Sequence, residues 1–175
     1  MANPKKALAA ILPNSIEVGC GYSVSPMTLA LWAALERIDS PLITGKAAKD
    51  TLDLLPSLYL LTHGASEILA GNVLEKAIAW AETVPVDILE HIRDACYQQI
   101  AVAMVVIPEG GKKKSSDGWI ASIIDYFART YHWSYDDILY RIPLSSLALL
   151  KRQEALRSNS IFTLEEIEKI DGQKT

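Results

Sequence analysis

The chain has 175 residues, half of them hydrophobic, a net charge of −4 and a pI near 5.4. That length suits one domain, or one domain with an appended subdomain, and the apolar share is enough for a real core, which argues against disorder of the whole chain. The acidic balance argues against a general affinity for nucleic-acid backbone, and nucleic acid is not an expected partner.

Charge is unevenly spread. Residues 1–109 carry 7 Lys/Arg against 12 Asp/Glu, whereas residues 110–175 carry 10 against 9, so two regions of different surface character are expected. Cys20 and Cys96 match no metal or redox spacing and read as buried, reduced thiols. That favours a cytoplasmic protein. Lys5 and Lys6 precede an apolar run resembling a secretory signal, but Pro13 cuts it short. Elsewhere the longest apolar stretch, Ile100 to Ile107, is too short to span a bilayer. A soluble protein without a membrane partner is expected.

Along the chain, Ile16 to Val24 can form a short extended piece, and no alternation persists long enough to build a sheet. Ser25-Pro26 reads as a helix cap followed by proline at the first helical position. The run behind it is apolar nearly all round, with Met27, Leu31, Trp32, Leu35 and Ile38 as its main stripe, the pattern of a central core helix. Pro41 ends it. Lys46 to Leu61 reads as two short helices that meet at Pro56, since proline cannot continue one helix through that point. Gly64 and Gly71 punctuate the next connection, and Asn72 can cap Val73 to Glu82. Thr83 and Pro85 then open a long helix through Ile107, with Ile88, Leu89, Ile92, Ala95, Cys96, Ile100, Ala103 and Met104 at helical spacing.

Pro108 to Gly118 (PEGGKKKSSDG) is the clearest linker in the chain. The expected organisation is therefore an N-terminal helical body over 1–107, a flexible linker over 108–118 and a C-terminal helical subdomain over 119–175. The fold class is all-α, a compact multi-helix bundle with that subdomain appended. After the linker, Asp117 can cap a helix with Trp119, Ile120, Ile123, Ile124, Phe127 and Tyr131 on its apolar face. Ser134 and Asp137 form a capping box for a helix of barely two turns that ends at Ile142. Pro143 starts another, from Leu144 to about Arg157, and Thr163 with Glu166 caps a last short one.

The polar residues form no catalytic or metal-binding pattern. His63 stands before Gly64, where it suits a helix C-terminus; His91 has Asp87 and Asp94 on its own helix; His132 adjoins Trp133. None belongs to a metal-binding spacing. Asp136-Asp137 and Glu165-Glu166 follow helix starts, where the helix dipole favours them without any acid–base role. No serine lies in a nucleophile elbow, and Gly110-Gly111-Lys112 lacks the spacing of a phosphate loop. No catalytic residue, metal or cofactor is expected. Trp32 and Trp80 read as core. Trp133, flanked by Tyr131, His132 and Tyr135, suits either an interface or a strut between helices, with the strut favoured. Residues 141–157 are locally basic, so the helices over 134–157 admit a weaker reading as a helix-turn-helix regulator.

The stretch after the linker carries a family resemblance. An aromatic helix precedes Tyr131, Trp133, Ser134, Asp137 and Ile138; Ile142-Pro143-Leu144 follows, and then a leucine-rich helix containing Leu147. This pattern resembles the small helical tail assembly chaperones of tailed bacteriophages. The resemblance implies a non-enzymatic morphogenesis factor, resident in the host cytoplasm, that holds the tape measure protein or another tail protein soluble; homo-oligomers are compatible with it. Such a chaperone needs an apolar groove for helical stripes of its client. The expected groove lies between the Trp119 helix and the Pro143 helix, with Trp119, Phe127, Trp133 and Leu147 as partner-binding anchors. A helical virion connector or adaptor would share this composition.

Overall fold

The computed structural model describes residues 14–46, 48, 51–104 and 117–159, and these are mostly helical. Residues 108–116 of the linker expected over 108–118, and the Thr163–Glu166 capping box, lie outside the described residues, and Asp117 and Gly118 already belong to a helix.

The extended piece at the start is a β-hairpin, a small departure from the all-helical expectation. Strands β1 (Ile16–Gly19) and β2 (Tyr22–Val24) pair antiparallel, Ile16 with Val24, with one extra residue on β1 between Glu17 and Gly19. Cys20 and Gly21 turn the chain at φ 50 and 79, and two left-handed residues are what a tight hairpin turn with the natural strand twist requires. The strands are too short for alternation to show in sequence. A side chain on Gly19, at φ +102, would meet Ile88 Cδ1 at 3.4 Å.

Helix α1 (Leu29–Arg37) begins three residues later than the Ser-Pro signal suggests. Its cap is Thr28, whose hydroxyl accepts from the Leu31 N–H at 3.3 Å. Ser25 and Met27 are spent on tertiary pairing instead: the Ser25 N–H donates to the Leu61 carbonyl, and the Met27 carbonyl accepts from the Leu144 N–H at 2.7 Å. The Ser-Pro cap recurs, and is used, at Ser40-Pro41, which opens the one-turn helix α2 (Pro41–Thr44) after Asp39 has turned the chain at φ 53. Ser40 is fully buried, and its hydroxyl lies 2.6 Å from the equally buried Ser57 hydroxyl, so neither desolvated group is left unpaired.

Thr51–Asp53 forms a 3₁₀ turn, and helix α3 (Leu55–His63) carries Pro56 in its first turn, where proline is tolerated. A second 3₁₀ turn, Ala65–Ile68, leads to α4 (Val73–Ala81). Asn72 stands at the cap position of α4 but in the left-handed conformation, and its side chain makes no cap hydrogen bond. Helix α5 (Val86–Met104) buries Ile88, Ile92, Ala95, Cys96, Ile100 and Ala103, the stripe its spacing predicts. The hairpin packs on α5 and α3, and Gln99 of α5 donates to the Asn14 carbonyl at 3.0 Å.

Helix α6 (Asp117–Tyr131) follows; the side chain of Asp117 lies outside the described set. Half of the expected Ser134 box forms: Ser134 Oγ accepts from the Asp137 N–H at 3.1 Å, while the Asp137 carboxylate meets the Ser134 hydroxyl, which donates to Oδ2 at 2.7 Å, in place of the Ser134 backbone. The short element it opens, Asp137–Arg141, is a π-turn and not an α-helix, closed by the Ile142 N–H on the Asp137 carbonyl. Helix α7 (Leu144–Asn159) starts after Pro143 as expected. Phe127, Ile138, Leu144 and Leu147 belong to the same core cluster as Leu29, Leu35, Leu60 and Ile92. Chain on both sides of residues 105–116 therefore contributes to one apolar interior.

Candidate functional site

Helix α1 is buried on all but one stripe. Leu29, Leu31, Trp32, Ala34 and Leu35 face the core, while Ala30 and Ala33 are only half-buried and Arg37 is exposed. That stripe floors an open groove of about 630 Å³. One wall comes from Ile120, Ala121 and Ile124 of α6, the other from Ile68 and Leu69, and Leu139 with Tyr140 of the π-turn closes one end. Leu69 is 81% exposed and Tyr140 49%, so the walls hold apolar surface in water, a recurrent mark of an interaction site when the patch is contiguous. Glu36 and Arg37 stand at the rim. Glu36 accepts from Trp32 Nε1 at 2.9 Å, and Trp32 meets Trp119 of α6 edge to face at 6.4 Å.

A smaller recess of about 280 Å³ adjoins the groove, sharing Ala65 and Tyr140 with it and reaching Ser66 and Arg141. Arg141 is held there by Asp137 at 3.1 Å.

The four anchors expected from sequence divide into two kinds. Phe127 and Leu147 are each 1% exposed and lie in the core. Trp119 and Trp133 are half-buried. Trp133 stacks parallel to Phe127 (centroids 5.7 Å apart, 6° between planes) and against Tyr131 at 5.0 Å, which is a strut holding the turn after α6 to its helix. Trp119 stands at the opposite end of α6, against Trp32. The groove accordingly runs between α6 and α1, while the seam expected between α6 and α7 holds buried side chains and is spanned by Lys151 over the Tyr126 ring at 5.7 Å. The first turn of α7, Leu144 to Leu147, is buried, whereas a recognition helix presents its first turn to base edges.

A second cluster went unread in sequence because its members are far apart in the chain. Trp80 meets Tyr22, Tyr59 and His63 edge to face, and His63 stacks on Tyr59 at 4.2 Å. His63 ends α3 with Nδ1 3.1 Å from the Tyr59 carbonyl, the C-terminal role its position before Gly64 suggests. Tyr59 Oη donates to Glu67 Oε2 at 3.1 Å, and Lys76 Nζ donates to the same oxygen at 2.9 Å. The Lys76 hydrogen bond, then that of Tyr59, holds the Glu67 carboxyl below its ordinary value. Burial, then Glu67, pushes the Tyr59 phenol up, and the bond to Glu67 raises Lys76. Trp80 Nε1 is buried without a hydrogen-bond partner among the described residues; it sits amid aromatic rings, which accept N–H weakly. The cluster is tightly packed and joins α3 to α4.

Of the two thiols, only Cys96 is buried as expected. Burial pushes it up to about 12, so it stays protonated and unreactive. Cys20 is exposed at the hairpin tip, because the turn that needs a left-handed residue lies on the surface. Among the described residues, no three His, Cys, Asp or Glu side chains gather as a metal site requires, and no helix is long and apolar enough to cross a membrane. Compared with protein-family models, with curated proteins and with solved structures, the chain matches none.

Proposed function

We propose that this chain is a non-enzymatic, protein-binding factor of phage tail assembly, a chaperone that keeps the long tape measure protein or another tail protein soluble before it is packaged. The observation that carries the protein-binding part is the open apolar groove along α1, with Leu69 and Tyr140 standing in water beside a floor of alanines. Grooves of this kind accept the apolar stripe of a helix. The phage part rests on the resemblance over residues 131–147, where Ser134, Asp137 and the Ile142-Pro143-Leu144 step form a capped turn, a π-turn and a new helix in succession.

The test is affinity purification of the tagged chain from the infected or producing cells, with bound proteins identified by mass spectrometry. Recovery of a very long, helix-rich tail protein is expected, and its loss when Leu69 is replaced by serine would tie it to the groove. Recovery of DNA, or only of components of mature particles, would overturn the reading in favour of a regulator or a virion connector.

A further inference from the structure

We infer that the groove along α1 takes an amphipathic helix of a partner protein whose apolar stripe is followed by a carboxylate that pairs with Arg37. The inference rests on the protein-binding reading of the groove and is independent of the phage assignment.

Ala30, Ala33 and Arg37 occupy positions i, i+3 and i+7 of one helix, with the buried Ala34 beneath them, so two half-buried methyl groups and a guanidinium lie in one row. Alanine along such a row lets a second helix approach to about 8 Å between axes, the short end of helix packing. Ile124 on one side and Leu69 on the other are then placed to close over the flanks of the incoming stripe. The groove is lined by two helices, a 3₁₀ turn with the residue after it, and the π-turn, elements that bond their own backbone groups, and no strand among the described residues lines it. An extended peptide would find no strand edge to pair with, while a helix satisfies its own backbone before it docks.

The sign of the partner's charge follows from which rim charge faces outward. Glu36 keeps its negative charge but is half-buried and turned onto Trp32, whose Nε1 donates to one of its oxygens, and Arg141 in the adjoining recess is paired with Asp137. Arg37, exposed at the end of the alanine row, makes no ion pair among the described residues. An occupant lying on the alanines meets a guanidinium with its five donors available, which matches a carboxylate in the two-pronged geometry arginine favours.

The experiment is selection from a displayed library of random peptides of about 16 residues, just over four helical turns, against the full chain. Enriched peptides are expected to carry apolar residues at i, i+3 or i+4, and i+7, with Asp or Glu about one turn beyond. Their affinity should fall about tenfold or more for Ala33→Trp, which fills the floor. Arg37→Glu, with its circular dichroism and unfolding checked against wild type because an acid in the last turn of α1 opposes the helix dipole, should switch the preferred charge to Lys or Arg. Unchanged binding to Ala33→Trp, with that variant's circular dichroism and unfolding like wild type, would overturn the site. Groove-dependent binding indifferent to the sign at position 37 would overturn the carboxylate while leaving the protein-binding reading standing. Failure to enrich any helical peptide would sink both. Self-association that Ala33→Trp abolishes in sedimentation would name a second copy as the occupant, and overturn the inference.

Discussion

Glu67 shows how one residue can join two helices with a pH-dependent tie. Its carboxylate accepts from Lys76 of α4 and from Tyr59 of α3, and both bonds favour the ionised form, so its folded pKa lies below the usual carboxylate value. The stabilisation is therefore fully present above the unfolded value of about 4.3 and is lost as pH falls through the lower folded value. Tyr59 and Lys76 have the opposite sign: both are raised, so their share is complete below about 10 and is lost as pH rises through the folded values. Urea midpoints measured from pH 2 to 9 for wild type and Glu67→Gln should differ by a constant amount above pH ~5 and converge as the solution becomes acidic. Curves that stay parallel down to pH 2 would mean that the tie contributes nothing linked to protonation. Neither the Tyr59–Glu67–Lys76 set nor the Trp80 cage was legible in the chain, because a periodicity reads one element at a time and these contacts join three.

At the scale of elements, apolar spacing located α1, α5 and α6, in α1 and α5 mostly through side chains that end up in the core, and in α6 through a face of which Phe127 alone is fully buried. The stripe of α5 is the plainest case. It located ends less well, since a cap competes with tertiary pairing: Ser25-Pro26 carries the same signal as Ser40-Pro41, yet only the latter opens a helix, because the backbone beside Ser25 is paired to Leu61 and that of Met27 to Leu144. The groove was hidden for a related reason. Its floor is alanine, so α1 reads as apolar on every face, and hydropathy cannot distinguish an enclosed alanine from one left open. The Ser134–Asp137 box was read correctly as a start signal, though what it starts is a π-turn. Its two bonds, both through the Ser134 hydroxyl, hold the first turn of that element. Ser134→Ala should cost about 1 kcal/mol, the usual loss for a helix cap, measured by urea unfolding. An effect within error would place the stability of that turn in the Ile138 side chain, which is fully buried.

For the whole molecule the question is whether the chain on either side of the linker behaves as one cooperative unit. A linker rich in glycine, serine and lysine, and a change in surface charge across it, lead the sequence reader to two bodies. The packing argues for one. The Met27 carbonyl is satisfied by Leu144, the backbones of Thr28 and Pro143 are bridged, and Trp32 of α1 packs on Trp119 of α6. Phe127, Ile138, Leu144 and Leu147 lie in the same cluster as the buried residues of α1, α3 and α5. Removing everything after the linker would uncover that cluster, at roughly 25 cal/mol for each Å² of apolar surface returned to water, against a net stability of only about 5–15 kcal/mol for an ordinary domain. A fragment of residues 1–109 should therefore fail to unfold cooperatively. The full chain should show one urea transition, coincident by tryptophan fluorescence, which reports Trp32 and Trp119 at the junction together with Trp80 and Trp133 on either side of it, and by far-ultraviolet circular dichroism, which reports all helices. Two separated transitions, together with a cooperatively folded fragment, would instead make the region after the linker a subdomain, and the alanine-floored groove between α1 and α6 would then open and close with the docking of one body on the other.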